Sequence, residues 1–313
     1  MDTRIPTKIA IVGAGAVGSS TAYTLLLRER ATELVLIDVN ADKARGDALD
    51  MAHGSPFYGA TKVWAGSYED CAGADIVIIT AGVAQRPGET RQALLDRNAV
   101  IFHAILHEIV KYNQNAILLV ATNPVDVLSH LSWKLSGFSA ERVIGTGTLL
   151  DSARFRYFIG QQLNVNPRSV HAHIVGEHGD SELPVWSRTN IAGVPIDLPE
   201  SARATIFENT RNAAYEIIQA KGATSYAIAL SIDRICTAIL RDEGAVLNVS
   251  TLLNDYHGIS DVYMGVPSVV ARDGVREVID LQPTAAELEQ LRASAQVLRD
   301  RIAAVESLHP DWF

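Results

Sequence analysis

A chain of 313 residues with 48% hydrophobic side chains has material for two cored units and no need of a disulfide or metal staple. Its net charge of −9 and the lack of any Lys/Arg run exclude a surface that tracks phosphates, so nucleic acid is not an expected partner. Cys71 and Cys236 are the only cysteines and stand outside any CxxC pattern, which excludes a disulfide framework and a cysteine metal site; no metal is expected.

The opening residues pass directly into a strand-like run, so no signal peptide is expected, and no apolar stretch reaches the length of a membrane span. A reducing cytoplasm fits these features. Buried strands are predicted over Lys8 to Val12, Leu34 to Ile37, Ile76 to Ile79, Ala116 to Val120 and Val143 to Gly145. Amphipathic helices are predicted between them, over Val17 to Leu27, Ala41 to His53 and Arg91 to Tyr112. This alternation predicts an α/β fold, a Rossmann-type doubly wound parallel sheet in a dinucleotide-binding domain over residues 1–147. An α+β substrate domain over residues 148–313 is expected to follow, because the pattern changes there. It reads as a helix from Asp151 to Leu163, short strands around Val170 to Val175, and helices over Ala202 to Ala220 and Ser225 to Arg241. A hairpin from Val262 to Ile279, turning at Arg272-Asp273-Gly274, and a helix from Ala285 to Val305 close the chain.

The first strand runs into Gly13-Ala-Gly15-Ala-Val17-Gly18, a GxGxxG turn opening a helix. Gly13 permits the tight turn, Gly15 lets backbone approach a pyrophosphate, and Gly18 lets helix and strand pack, while the helix N-terminus offers amide donors. The triplet alone is weak, since glycines in a βα turn can be purely structural. Asp38, some twenty residues on at the end of the second strand, strengthens it by placing a carboxylate where a ribose hydroxyl would bind. That carboxylate would repel a 2′-phosphate, so NAD is expected rather than NADP. Gly13, Gly15, Val17, Gly18 and Asp38 are the candidate cofactor residues here.

In the second half, Asp151 and Arg154 stand three apart on one predicted helix face, and His178 lies between Gly176 and Gly179 after a predicted strand. A surface ion pair is the plainer reading of Asp151 and Arg154. A histidine in so glycine-rich a segment, however, is built to be presented rather than packed. Asn123 follows a strand at the carboxyl edge of the sheet, where open α/β proteins bind ligands.

The segments AGVAQRPGETR, ATNPVDV, TGTLLDSARFR and GEHGDSE, in this order and spacing, resemble the bacterial members of the lactate and malate dehydrogenase family, and the similarity runs from Lys8 through at least Leu298. The resemblance implies that His178 is the proton donor and acceptor, Asp151 its orienting carboxylate, Arg154 the clamp on the substrate carboxylate and Arg91 the group polarising the reacting carbonyl. It also implies that Asn123 contacts both nicotinamide and substrate after a cis bond to Pro124. Thr224 and Ile228, taken to be four apart on a helix, would flank the substrate and cover the nicotinamide face. Gln85, in a segment resembling the family's lid, would face the variable end of the substrate. A neutral residue there would leave a second carboxylate unpaired, so pyruvate and L-lactate are favoured over the malate pair. Malate remains the second reading, and a non-catalytic NAD-binding sensor the reading from another class. Arg156 and His171 match positions that answer fructose 1,6-bisphosphate in bacterial relatives, implying an allosteric anion site in a homotetramer.

Overall fold

The computed structural model describes residues 7–83 and 91–312, without the side chain of Arg91. Strands β1 (Lys8–Val12), β2 (Glu33–Ile37), β3 (Lys62–Ala65), β4 (Ile76–Ile79), β5 (Ile117–Val120) and β6 (Val143–Gly145) fill the first half. Helices α1 (Ala16–Leu27), α2 (Ala41–His53), α3 (Arg91–Tyr112) and α4 (Val125–Ser136) lie between them. These six strands are parallel in the order β3-β2-β1-β4-β5-β6, so the winding direction reverses between β1 and β4. Such a switch point opens a crevice at the carboxyl ends of the strands, the usual place for a ligand.

The second half begins with α5 (Leu149–Leu163) and five two-residue strands: β7 (Val170–His171), β8 (Ile174–Val175), β9 (Leu183–Pro184), β10 (Asn190–Ile191) and β11 (Val194–Pro195). Helices α6 (Glu200–Lys221) and α7 (Tyr226–Leu240) follow, then β12 (Ala245–Leu252), β13 (Tyr263–Ala271), β14 (Gly274–Val278) and α8 (Ala285–Leu308). The β12-β13-β14 meander does not stand apart. It joins the first sheet through an antiparallel pairing of Ser250 with Gly145, completing nine strands in the order β14-β13-β12-β6-β5-β4-β1-β2-β3.

Alternate residues explain why both sheet faces are dry. From β1, Ala10 and Val12 pack with α3, α4 and α8, whereas Ile9 and Ile11 pack with α1, α2 and α7. A third cluster, around Phe155, Ile159, Ile174 and Ile206, joins α5 to α6. Among the described residues, no helix is long and apolar enough to cross a membrane.

Among the elements that the sequence reading did not anticipate are β3, α4, β12 and the two-residue strands β9, β10 and β11. The first eight residues of α4 are all buried, and Asp126, Ser129, His130 and Ser132 are among them, so its polar positions meet protein rather than water. Strand β12 is buried on both faces yet carries Asn248, Ser250 and Thr251, so it lacks the unbroken apolar run by which the other buried strands read.

Candidate active site

The glycine-rich turn has the shape its spacing implies. Gly13 takes φ +107°, and a Cβ there would lie 2.4 Å from the Ala81 nitrogen, so the β1 turn and the end of β4 approach as only glycine allows. A Cβ on Gly18 would fall 1.8 Å from the Gly13 carbonyl oxygen, which seats α1 against the turn. Gly15 faces open space instead and caps α1 with no side-chain bond, leaving room beside the amide donors of the helix. Asp38 sits at the mouth of this turn. Its two oxygens accept backbone N–H bonds from Ala14 at 2.6 Å and Asn40 at 2.8 Å. A carboxylate has about four lone-pair positions, so these bonds fix its direction and leave acceptor capacity for a ribose. Turn, open glycine and oriented carboxylate fit a dinucleotide. Val17 and Ile228 pack on the same apolar cluster where α1 meets α7, which brings two residues distant in sequence to one wall.

Across the crevice, Asp151 joins the other two candidates. Its Oδ2 accepts from His178 Nδ1 at 2.6 Å and its Oδ1 accepts from Arg154 at 2.9 Å. Asp151 is 3% exposed, so it is a buried carboxylate shared by two cations rather than a surface ion pair. Burial pushes its carboxyl up, and His178 and Arg154 together bring it below the ordinary value. For His178, burial works downward, but the charge and hydrogen bond of Asp151, then Glu182 and Asp126, hold the imidazole up at about 9. The histidine is therefore protonated at neutral pH.

The loop that carries His178 is fixed from three sides. Gly176, at φ +99°, exchanges both backbone hydrogen bonds with Gly265 of β13 at 2.9 Å. The His178 amide donates to Asp126 of α4 at 2.7 Å, and Asp126 also accepts from the Ser250 hydroxyl at 2.6 Å. Burial raises the Asp126 carboxyl to about 6, against the lowering by those two bonds. Glu177 pairs with Arg301 of α8, and its amide donates to Ser294 at 2.8 Å. None of Asp126, Ser250, Glu177, Arg301 and Glu182 was picked out from sequence. The buried polar residues of β12 and of ATNPVDV were the available signal, because a polar group in a core demands a partner.

The Asn123-Pro124 bond is cis, as the family resemblance implies. The Asn123 carbonyl accepts from the Asn98 side chain at 3.0 Å, and Asn98 also accepts from the Val83 amide at 2.9 Å. Asn98, fully buried on α3, ties the ends of two crevice loops and was not anticipated. Thr224 corrects an expectation. It lies in the connection between α6 and α7, not on a helix with Ile228, because Gly222 ends α6 at φ +86° and Ser225 has a non-helical backbone. Thr224 is half-buried.

Arg156 projects from α5 away from Arg154 and donates to the Ala172 carbonyl at 3.0 Å, while His171 lies exposed on β7. The two flank His173, which burial and then both of their charges push below the ordinary histidine value against the bond its ring donates to Asn248. Gln85 and the Arg91 side chain lie outside the described residues. Asp151, His178 and Glu182 bring ligand-type atoms within 4.8 Å of one another, but the Arg154 guanidinium on Asp151 opposes a cation there.

The nucleotide turn, the sheet switch point and a buried carboxylate–imidazole pair define a nucleotide-dependent oxidoreductase. Residues 7–145 match the family model for the lactate/malate dehydrogenase NAD binding domain, and residues 148–309 match that for the family's alpha/beta C-terminal domain. The chain belongs to the lactate/malate dehydrogenase family, and its cofactor is NAD. It is 48% identical to the L-lactate dehydrogenase of Acetivibrio thermocellus, over 97% of this chain and 99% of that one. It is likewise 48% identical to L-lactate dehydrogenase 1 of Clostridium acetobutylicum, over 96% and 98%. The crystal structure of the minor L-lactate dehydrogenase from Enterococcus mundtii in its ligands-bound form superposes with a TM-score of 0.94 at 46% identity, covering 96% of this chain and 98% of that one.

Proposed function

We propose that the chain acts as an L-lactate dehydrogenase, interconverting pyruvate and L-lactate. The observation that carries this reading is the buried Asp151 carboxylate, with His178 on one oxygen and Arg154 on the other. Gly13, Gly15, Val17, Gly18, Asp38, Asn123 and Ile228 hold the NAD, which supplies the hydride acceptor when oxidised and the hydride donor when reduced. Arg154 grips the substrate carboxylate and so fixes C2 in the crevice. His178 keeps its Nδ1 proton on Asp151 and uses Nε2 to deliver a proton to the C2 oxygen of pyruvate, or to take one from the lactate hydroxyl. Arg91 stabilises the charge that grows on that oxygen. Thr224 and Asn123 line the remaining substrate wall, and Gln85 faces the methyl end.

The direct experiment follows NADH oxidation by absorbance with pyruvate, with oxaloacetate and with neither. Pyruvate is expected to be turned over far faster. In Gln85→Arg the preference moves toward oxaloacetate by about a hundredfold or more, because the new guanidinium pairs the second carboxylate inside the site. An unmoved ratio would take Gln85 out of substrate selection.

The same reading extends to regulation. Arg156 and His171 form an anion site for fructose 1,6-bisphosphate between subunits of a homotetramer, and effector binding favours the assembled enzyme by mass action. Exposed apolar side chains on α1 and α7, including Tyr23, Leu27, Tyr226 and Leu230, support association. The enzyme works in the cytoplasm, returning glycolytic NADH to NAD in fermentation. With the bisphosphate, activity is expected to rise several-fold and the sedimentation coefficient to move to that of a tetramer in the parent, and neither change is expected in Arg156→Ala. Equal activation of the two proteins would eliminate the site.

A further inference from the structure

We propose that Glu182 is a positioning residue for proton transfer, a buried acid that fixes the pH at which His178 surrenders its proton. This rests on the reading of His178 as the proton donor and acceptor. Glu182 closes the GEHGDSE segment and is 7% exposed, yet its Oε1 has no hydrogen-bond partner among the described residues. One of its oxygens lies within 4.8 Å of both the His178 ring nitrogen and the Asp151 carboxylate. A carboxyl kept only for packing would have its oxygens satisfied, or would be replaced at no cost by an amide or an aliphatic chain. Here the unpartnered oxygen stands among titrating groups, where its charge acts on them directly.

The charges around the pair come from every neighbouring element. Helix α5 contributes Asp151 and Arg154, α4 contributes Asp126, and α6 contributes Arg211, which acts on Glu182. Within the loop, Glu177 is tied to Arg301 of α8. Burial and Asp151 raise the Glu182 carboxyl to about 8, against His178, Arg154 and Arg211. It is therefore neutral around pH 7 and becomes negative just below the pH at which His178, held up at about 9, deprotonates. The arriving charge keeps the proton on the imidazole, so the three groups titrate as one set. Removing the charge must move the His178 midpoint down.

The test is the pH profile of kcat/KM for pyruvate at saturating NADH, in the parent, Glu182→Gln and Glu182→Asp. Gln matches protonated Glu in size, and NADH titration and thermal melting check that both variants are folded. In Glu182→Gln the alkaline midpoint falls by about one to two and a half pH units, the range for a unit charge within 4.8 Å at an effective dielectric constant between about 50 and 20. The acid limb of lactate oxidation moves with it. Glu182→Asp retains a carboxyl and stays within a few tenths of the parent. An NMR titration of the His178 ring nitrogens in the NADH complex gives the same midpoints without turnover. An unmoved midpoint in Glu182→Gln, or an equal shift in both variants, overturns the proposal. A parent without activity on pyruvate overturns the functional reading instead, so the two failures are distinct.

Discussion

His178→Asn is expected to lower kcat/KM for pyruvate by about a thousandfold while leaving NADH affinity within about twofold of the parent. A placed general acid contributes roughly two to four decades of rate, and about 1.4 kcal/mol of barrier accompanies each decade. Asparagine can fill the imidazole's volume and accept or donate a hydrogen bond, but it cannot carry a proton to the C2 oxygen. The Asp151 carboxylate remains beside Arg154, so the buried charge keeps one partner and the fold is preserved. The glycine-rich turn and Asp38 lie across the crevice and make no bond to His178, which is why cofactor binding is spared. Fluorescence titration with NADH reads the second quantity separately from turnover. Because no proton is shuttled, lowering the pH gives no recovery, unlike the behaviour of an enzyme whose histidine is merely retuned. Near-parental turnover in this variant would remove His178 from the chemistry.

The sequence displayed its sheet where the physics is simple. A strand buried on both faces by helices reads as an unbroken apolar run, and Ile76–Ile79, Ile117–Val120 and the part of Lys8–Val12 that follows Lys8 are of that kind. The 272–274 turn was equally legible, with Gly274 at φ +113° packed where a Cβ would lie 1.9 Å from the Glu141 carbonyl oxygen. What sequence could not display was the destination of the hairpin. Strand pairing is decided by distant surfaces, and the single bridge from Ser250 to Gly145 that fuses the meander to the first sheet has no local signature. In α4 the same dependence on distant surfaces shows in Asp126, Ser129, His130 and Ser132, polar residues that only the assembled fold reveals to be buried.

The reacting groups were more legible than their supports. Asp151 and Arg154 share a helix face by spacing alone, and the glycines around His178 mark a presented side chain; the structure brings all three within hydrogen-bond reach. The bond from the His178 amide to Asp126, and from Ser250 to that same carboxylate, spans 52 and 124 residues of sequence. Contacts of such range arise only when α4, β12 and the loop are already packed together. Thr224 shows the opposite error: it was placed on one helix with Ile228 although the predicted helix began only at Ser225, and the structure leaves Thr224 in the connection between α6 and α7.

Asp151→Asn is expected to cost on the order of a thousandfold in kcat/KM for pyruvate at pH 7, and, unlike His178→Asn, to leave a pH-dependent remainder. Two properties are lost together. The amide can still accept a single bond, but it cannot hold His178 and Arg154 at once with a full charge, so the ring loses its fixed orientation. The electrostatic loss has a definite sign. Burial pushes the His178 imidazole down and the Asp151 charge is the largest influence that lifts it to about 9, so the variant's histidine drops below the ordinary value. The remaining carboxylates of Glu182 and Asp126 recover only part of that lift, because burial keeps each protonated to higher pH than an exposed acid. Reduction of pyruvate needs the imidazolium, so its alkaline limb moves down by two units or more, about 3 kcal/mol at 1.36 kcal/mol per unit. Activity should then rise as the pH is lowered from 7 toward 5. The substitution leaves the overall equilibrium untouched, so with cofactor binding unchanged the two reaction directions fall together at any one pH, and the acid limb of lactate oxidation shifts by the same amount. Steady-state profiles in both directions measure this, with thermal melting to separate it from instability caused by the unpaired Arg154. A pyruvate limb that stayed near pH 9 would mean that the charge of Asp151 is not what holds the proton on His178.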